Sequence, residues 1–144
     1  MNEVEFHTGV ADPLAYACRL LRKAYRSGAR VLVTAPPATL ALLDRALWTF
    51  EEREFLPHVR QPGAPEAVAA RTPIWLAPRA DLPAVPPTLV NLGADAPADL
   101  SPFERLIEIV GSDAEEADRG RSRWRAYKAR GLGVVHHRSD IAAG

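Results

Sequence analysis

The chain has 144 residues, of which 47% are hydrophobic, and 18 Lys and Arg residues balance 18 Asp and Glu residues. This length is typical of one domain with one core, so we expect a single domain over residues 1–144. A neutral chain is not a general nucleic-acid binder, since such proteins are usually strongly basic. The one cysteine, Cys18, excludes an internal disulfide scaffold.

The sequence also lacks the features of a membrane or secreted protein. No stretch approaches the roughly 18 uninterrupted apolar residues that span a bilayer. The acidic N-terminus, residues 1–7, does not resemble a signal peptide. We therefore expect a cytoplasmic protein.

The first third of the chain alternates strand and helix patterns. Residues 3–7 alternate polar and apolar side chains, as a strand does. Asp12 and Pro13 then form a helix-start signal, and Gly28 marks the end of that helix. The apolar run 31–33 predicts a buried strand, and a second helix follows from apolar residues at helical spacing, which are Leu40, Leu43, Leu47 and Trp48. This order predicts a parallel sheet with helices packed on it.

The remaining elements are predicted with the same signals. Residues 55–73 are irregular, with a loop at 61–65. Strands are expected at 74–76, 88–92, 106–110 and 132–136, and a last helix from about 113 to 130, ending at Gly131.

Motifs for nucleotide, metal and hydrolytic chemistry are missing from the sequence. It contains no G-x-G-x-x-G, no G-x-x-x-x-G-K-[ST] and no G-x-S-x-G. The adjacent residues His136 and His137 would point to opposite faces of a strand, so we expect no metal site from them. Cys18 lies in an apolar run and is interpreted as a core residue rather than a nucleophile. We expect no cofactor and no catalysis.

The charges of the last helix are segregated along its length. Acidic residues come first, and bases follow in the segment from Arg121 to Arg130. One interpretation is that this gradient complements the helix dipole and has no further role. The spacing also places Arg121, Arg125 and Lys128 on one face with Trp124 beside them. An indole with charged neighbours suits an acidic peptide with an apolar end, or single-stranded nucleic acid. The neutral whole-chain charge favours the peptide.

A second feature is the aromatic group in residues 46–50 and 55–58, which includes Trp48 and Phe55. Two interpretations stay open for it. These side chains pack in the core, or they form a hot spot for a protein partner.

At these places the chain resembles the chi subunit of bacterial DNA polymerase III, an accessory of the clamp loader. The similarity covers nearly the whole length. The segments that carry it are 25–32, 43–48, 55–58, Arg121, 124–128 and Gly131.

The resemblance implies a three-layer α/β/α fold with a largely parallel central sheet, Rossmann-like without a nucleotide site, and no catalysis. Family members bind the acidic C-terminal tail of the single-stranded-DNA-binding protein, which ends in aspartates followed by Ile-Pro-Phe. They also bind the psi subunit, which links them to the clamp loader. The implied function is therefore a non-catalytic adaptor in DNA replication, and a repair helicase is a further candidate partner.

Carried onto this chain, the tail site falls on four residues, which are Arg121, Trp124, Arg125 and Lys128. Trp124 stands where the family pattern has a tyrosine, and Arg125 where it has a lysine. A further basic position falls on Ala117, and Arg119, which differs in helical phase, is a candidate replacement for it. The psi-type partner surface maps onto Trp48 and Phe55. The alternatives are a degenerate Rossmann-type enzyme and a direct single-stranded-DNA-binding module.

Overall fold

The computed structural model describes residues 1–49 and 54–139, and these contain seven strands and four helices. The strands are β1 (Glu3–Val10), β2 (Val31–Thr34), β3 (His58–Arg60), β4 (Ile74–Ala77), β5 (Thr88–Asn91), β6 (Arg105–Gly111) and β7 (Gly133–Arg138). The helices are α1 (Pro13–Arg26), α2 (Pro37–Thr49), α3 (Glu66–Arg71) and α4 (Ala114–Ala129).

All seven strands belong to one sheet in the order β3-β4-β2-β5-β6-β1-β7. Every pairing between them is parallel. The short strands β2 and β4 are buried along their whole length, as expected of parallel strands covered on both faces. The sheet is thus parallel throughout, as the order of strands and helices in the sequence predicted.

Helices cover both faces of the sheet. On one face, α1 and α2 contribute Leu21 and Leu43 to a core cluster that also contains Val33 of β2. On the other face, α3 and α4 contribute Ala69 and Tyr127 to a second cluster. This arrangement confirms the three-layer α/β/α prediction.

The predicted helix ends are confirmed. The carboxylate of Asp12 accepts a hydrogen bond from the Ala15 amide at 3.1 Å, at the start of α1. Asp113 caps α4 in the same way. Gly28 and Gly131 follow α1 and α4 with φ of 80° and 86°, a conformation that favours glycine.

The irregular interpretation of residues 55–73 was incomplete. The loop at 61–65 is present, but β3 precedes it and α3 follows it. Strand β3 has 3 residues and α3 has 6, so neither is long enough to show a clear hydrophobic period. Phe50, part of the aromatic group, lies outside the described residues.

No helix in residues 1–49 and 54–139 combines the length and the apolar character needed to cross a membrane.

Candidate partner-binding surfaces

The orientation of α4 is set by a buried carboxylate beneath it. Glu108 of β6 has no exposed surface and accepts a hydrogen bond from Arg123 Nε at 2.9 Å and another from the Tyr127 hydroxyl at 2.7 Å. Asn91 Nδ2 of β5 donates a third, also at 2.9 Å. Because both partners on α4 come from the same face of the helix, that face is held against the sheet.

The electrostatics of this cluster keep its hydrogen bonds in place. Burial raises the pKa of Glu108, while the Arg123 guanidinium and the hydrogen bonds from Asn91 and Tyr127 oppose that rise. Burial and the neighbouring Glu108 carboxylate also raise the pKa of Tyr127, so its hydroxyl remains a donor. A buried carboxylate with three donors is satisfied rather than orphaned.

Helix α4 also approaches the sheet closely at a glycine. A Cβ placed on Gly120 would lie 2.6 Å from Cγ1 of Val110 on β6, well inside van der Waals contact. The helix therefore sits on β6 at a distance that only glycine permits here. This contact and the Glu108 cluster together fix which side of α4 faces outward.

The outward side carries the predicted basic row. Arg121 and Arg125 each lie two residues from Arg123, about 200° around the helix, so they point away from the sheet. Arg121, Arg125 and Lys128 are all exposed. The predicted common face of Arg121, Arg125 and Lys128 is thus present on α4.

Trp124 is less free than the sequence suggested. It is partly buried, and its ring centroid lies 5.0 Å from that of Phe6 and 4.9 Å from that of His136. The indole therefore closes the edge of the core over β1 and β7 while part of it stays accessible beside the basic row. It is both a packing residue and an apolar contact surface.

The bases of the row differ in their local partners. Arg121 forms an ion pair with Asp118, one turn earlier. Arg125 Nη2 lies 3.5 Å from Ser122 Oγ, and Lys128 has no acidic partner within the part of the chain that the structure describes. Positive charge is therefore least compensated towards the C-terminal end of the row.

Other bases of the segment serve elsewhere. Arg123 is buried against Glu108, and Arg130 donates hydrogen bonds to the carbonyl oxygens of Pro97 and Ala98. Arg123 and Arg130 therefore have structural contacts within the fold, and only part of the basic segment is available to bind a partner.

Arg119 does not lie beside the basic row. It pairs with Glu115 and lines a cavity of about 240 Å³ together with Glu116 and Arg123. It is two residues from Arg121, on the other side of the helix. Arg119 therefore does not occupy the place of the base that is missing at Ala117.

The aromatic group forms an exposed patch. Trp48 and Phe55 are 62% and 52% exposed, and their ring centroids are 5.0 Å apart. The core-packing interpretation was wrong for both. We call Trp48 and Phe55, together with the buried His58 side chain next to them, the aromatic patch.

His58 holds this patch together, a role that the sequence did not indicate. Its Nδ1 donates a hydrogen bond to the Leu56 carbonyl oxygen at 2.7 Å, and its Nε2 lies 2.9 Å from Asp44 Oδ1. Its ring centroid lies 5.2 Å from that of Trp48. A histidine 14 residues after an aspartate has no local pattern, so only the fold reveals the pair.

The crevice at the carboxyl ends of the strands is where Rossmann-like folds bind ligands. Here the Glu116 side chain packs over Gly111, and Asp12 and Asp113 each accept a hydrogen bond from one amide in the first turn of α1 and α4. Carboxylates thus occupy the positions where a phosphate would need donors. Cys18 of α1 is buried in the core, and burial raises the pKa of its thiol to about 11, as expected of a core residue rather than a nucleophile.

Taken together, these features define a Rossmann-like α/β/α protein that exposes a basic helix face and an aromatic patch. The family model for the DNA polymerase III chi subunit, HolC, matches residues 1–135. DNA polymerase III subunit chi of Pseudomonas aeruginosa is 33% identical over 96% of this chain and 97% of its own length. The corresponding protein of Haemophilus influenzae is 31% identical over 80% of this chain and 79% of its own length.

The chain therefore belongs to the DNA polymerase III chi subunit family, and its role lies in DNA replication.

Proposed function

We propose that this chain is a non-catalytic adaptor of the DNA polymerase III holoenzyme, working in the cytoplasm. It binds the acidic C-terminal tail of the single-stranded-DNA-binding protein on α4 and a psi-type clamp-loader subunit on the aromatic patch. The observation that carries the proposal is the exposed row of Arg121, Arg125 and Lys128 beside the partly buried Trp124.

The tail would be held by complementary chemistry. Its terminal phenylalanine packs against the accessible part of Trp124, its carboxylate faces Arg121 or Arg125, and its aspartates face the surrounding bases. Well-formed charge-assisted hydrogen bonds contribute about 1.5–3 kcal/mol each, whereas exposed ion pairs contribute about 0–1 kcal/mol. Because all three bases are exposed, we expect micromolar affinity that weakens with salt.

The psi-type partner would use a different kind of contact. Trp48 and Phe55 offer a paired aromatic surface, the composition found at protein–protein hot spots. His58 holds the two rings in position, so little ordering entropy is lost on binding. An exposed, preformed aromatic pair is costly to leave in water unless a partner covers it.

The two rival functions have less support from the geometry. A nucleotide-dependent enzyme would need phosphate donors where Asp12, Asp113 and Glu116 present carboxylates. A direct single-stranded-DNA binder would stack several bases on exposed aromatics along a basic groove. On α4, the single indole is already packed against Phe6 and His136.

The proposal is tested by titrating the chain with the acidic tail peptide in a calorimeter. Deleting the terminal phenylalanine should abolish measurable binding, because both the apolar contact and the position of the carboxylate are lost. Arg121→Ala and Trp124→Ala should weaken binding about threefold or more. Arg119→Ala is the matched control, since it removes the same charge from the same helix on another side.

Since Trp124 also packs in the core, Trp124→Phe is included to separate binding from stability. It keeps an aromatic ring and should bind better than Trp124→Ala at equal folded fraction. Unchanged affinity in both Arg121→Ala and Trp124→Ala would overturn the tail site. Tight binding of single-stranded DNA by the chain alone would favour the direct-binding alternative instead.

A further inference from the structure

Two histidines and a glutamate meet on the sheet face opposite α4. His7 of β1 pairs in register with His137 of β7, and Glu5 lies two residues before His7, on the same side of β1. One ligand atom from each of the three side chains can be chosen so that all lie within 4.8 Å of one another. This is the one such cluster in residues 1–49 and 54–139.

The spacing is close to what a metal ion requires. Tetrahedral ligands at about 2.0–2.1 Å from an ion are about 3.4 Å apart. His137 is exposed, so its ring can rotate to shorten the remaining distance without disturbing the core. The rings of His7 and His137 already lie with centroids 4.8 Å apart.

His7 has a free nitrogen that nothing in the fold explains. Its Nδ1 is hydrogen-bonded to the hydroxyl of Tyr16 on α1, while its Nε2 is buried without a partner among the described residues. Buried polar atoms almost always have a partner, so an orphan of this kind points to an absent ligand or water. A histidine whose second nitrogen is held by a hydrogen bond is also the usual arrangement at metal sites.

Glu5 is oriented in a similar way. Its two carboxylate oxygens accept hydrogen bonds from Arg105 Nε at 2.5 Å and from Arg105 Nη2 at 2.9 Å. Each oxygen has a further lone pair, so the carboxylate can contact a cation while it keeps this ion pair. Arg105 therefore fixes the position of the third candidate ligand.

We propose that Glu5, His7 and His137 bind a divalent transition-metal ion of the zinc type, with His7 contributing Nε2. Two imidazoles and a carboxylate are a donor set that zinc accepts, with water completing the coordination. The sequence prediction of no metal site rested on the absence of metal-binding motifs and on the adjacent pair His136 and His137. Those two do face opposite ways, but the neighbour of His137 is His7, on another strand.

A metal ion at this place would connect the edge strand β7 to its neighbour β1. Among the strands in residues 1–49 and 54–139, β7 is the last in the chain and pairs only with β1, and it follows directly after α4. The ion would bridge β1 and β7 on the face away from Trp124, which contacts His136 instead. The proposed metal site is therefore separate from the proposed tail site, and an experiment can refute one proposal without affecting the other.

The test uses the full chain, stripped with a chelator and carrying no histidine tag. Zinc is titrated by calorimetry, and cobalt(II) is added separately to detect ligand-field absorption. We expect saturation at one ion per chain, a higher unfolding temperature with zinc, and a cobalt spectrum of a low-coordinate nitrogen and oxygen site. His137→Ala and Glu5→Gln should each weaken zinc binding about tenfold or more.

His136→Ala is the matched control, because it removes a neighbouring histidine that faces the other way. It should leave zinc affinity unchanged, whereas His137→Ala should also lose the zinc-dependent rise in unfolding temperature. Since His137 is exposed, this variant is expected to fold. An absence of saturable zinc binding by the wild-type chain, or an equal loss in His136→Ala and His137→Ala, would overturn the proposal.

Discussion

Arg123 and Arg125 stand two positions apart on α4 and have opposite surroundings. Arg123 is buried and paired with Glu108, which is itself inaccessible. Arg125 is exposed, and its Nη2 lies 3.5 Å from Ser122 Oγ. Removing the partner of a buried charge lowers the stability of the fold. An exposed arginine contributes little to stability and is free to bind a ligand. The helix phase, not the residue type, separates the structural base from the candidate binding base.

Asp118 competes with the tail for Arg121 if the proposed site is correct. We expect Asp118→Asn to strengthen tail binding about two- to fivefold, because Arg121 is released and a repelling charge is removed. Calorimetric titration with the tail peptide measures the change. Glu115→Gln is the control, since it removes an equal charge and frees Arg119, which lies off the binding face. Unchanged or weaker binding in Asp118→Asn would contradict the role of Arg121.

At the scale of elements, the packing of α4 on the sheet determines whether the basic row faces solvent. Gly120 allows the helix to approach Val110, and Glu108 holds it in one rotational position through Arg123 and Tyr127. If α4 rotated by one residue, about 100°, the exposed row would turn towards the sheet. The proposed binding face therefore depends on a hydrogen-bonded cluster that lies beneath the helix, on the side facing the sheet.

The contribution of the buried Glu108–Arg123 pair to stability can be measured with a single and a double variant. Glu108→Leu should lower the free energy of unfolding by about 3–5 kcal/mol, because Arg123 would remain buried without its carboxylate. Adding Arg123→Met should recover a large part of that loss, because the uncompensated charge is gone. Urea unfolding followed by circular dichroism gives both values. If the double variant is no more stable than Glu108→Leu, the loss of stability in Glu108→Leu does not come from the buried, unpaired charge of Arg123.

At the scale of the whole molecule, the two proposed surfaces lie at opposite edges of the sheet. The aromatic patch adjoins β3, the first strand in sheet order, and α4 covers the region of β6, β1 and β7 at the other end. Strands are about 4.8 Å apart, so the edge strands are separated by roughly 29 Å. This separation suits an adaptor that holds two partners at once without steric conflict.

The separation predicts that the two surfaces act independently. Trp48→Ala should weaken capture of a psi-type subunit about tenfold or more while leaving tail-peptide affinity within about twofold. Because Trp48 is exposed, the unfolding temperature should change little. Leu42→Ala is the control, since Leu42 is similarly exposed on α2 but lines the same cavity as Arg119 and does not belong to the patch. A loss of psi binding in both variants, or of tail binding in Trp48→Ala, would contradict separate surfaces.

Local signals explain which features could be predicted. Asp12, Gly28, Asp113 and Gly131 each act within a few residues of their own position, so the ends of α1 and α4 were correct. The face of Arg121, Arg125 and Lys128 follows from helix geometry alone. Elements β3 and α3 were missed because they are too short to repeat a pattern.

By itself, the sequence determined the alternation of strands and helices, the parallel α/β class and the basic face of α4. Each of these follows from the spacing of residues that are close together in the chain. Only the tertiary structure decided that Trp48 and Phe55 are exposed, that Trp124 is half in the core, and that Arg119 points elsewhere. It alone brought His7 next to His137. These outcomes depend on which strands become neighbours and in what register, and such contacts join residues that no local pattern connects.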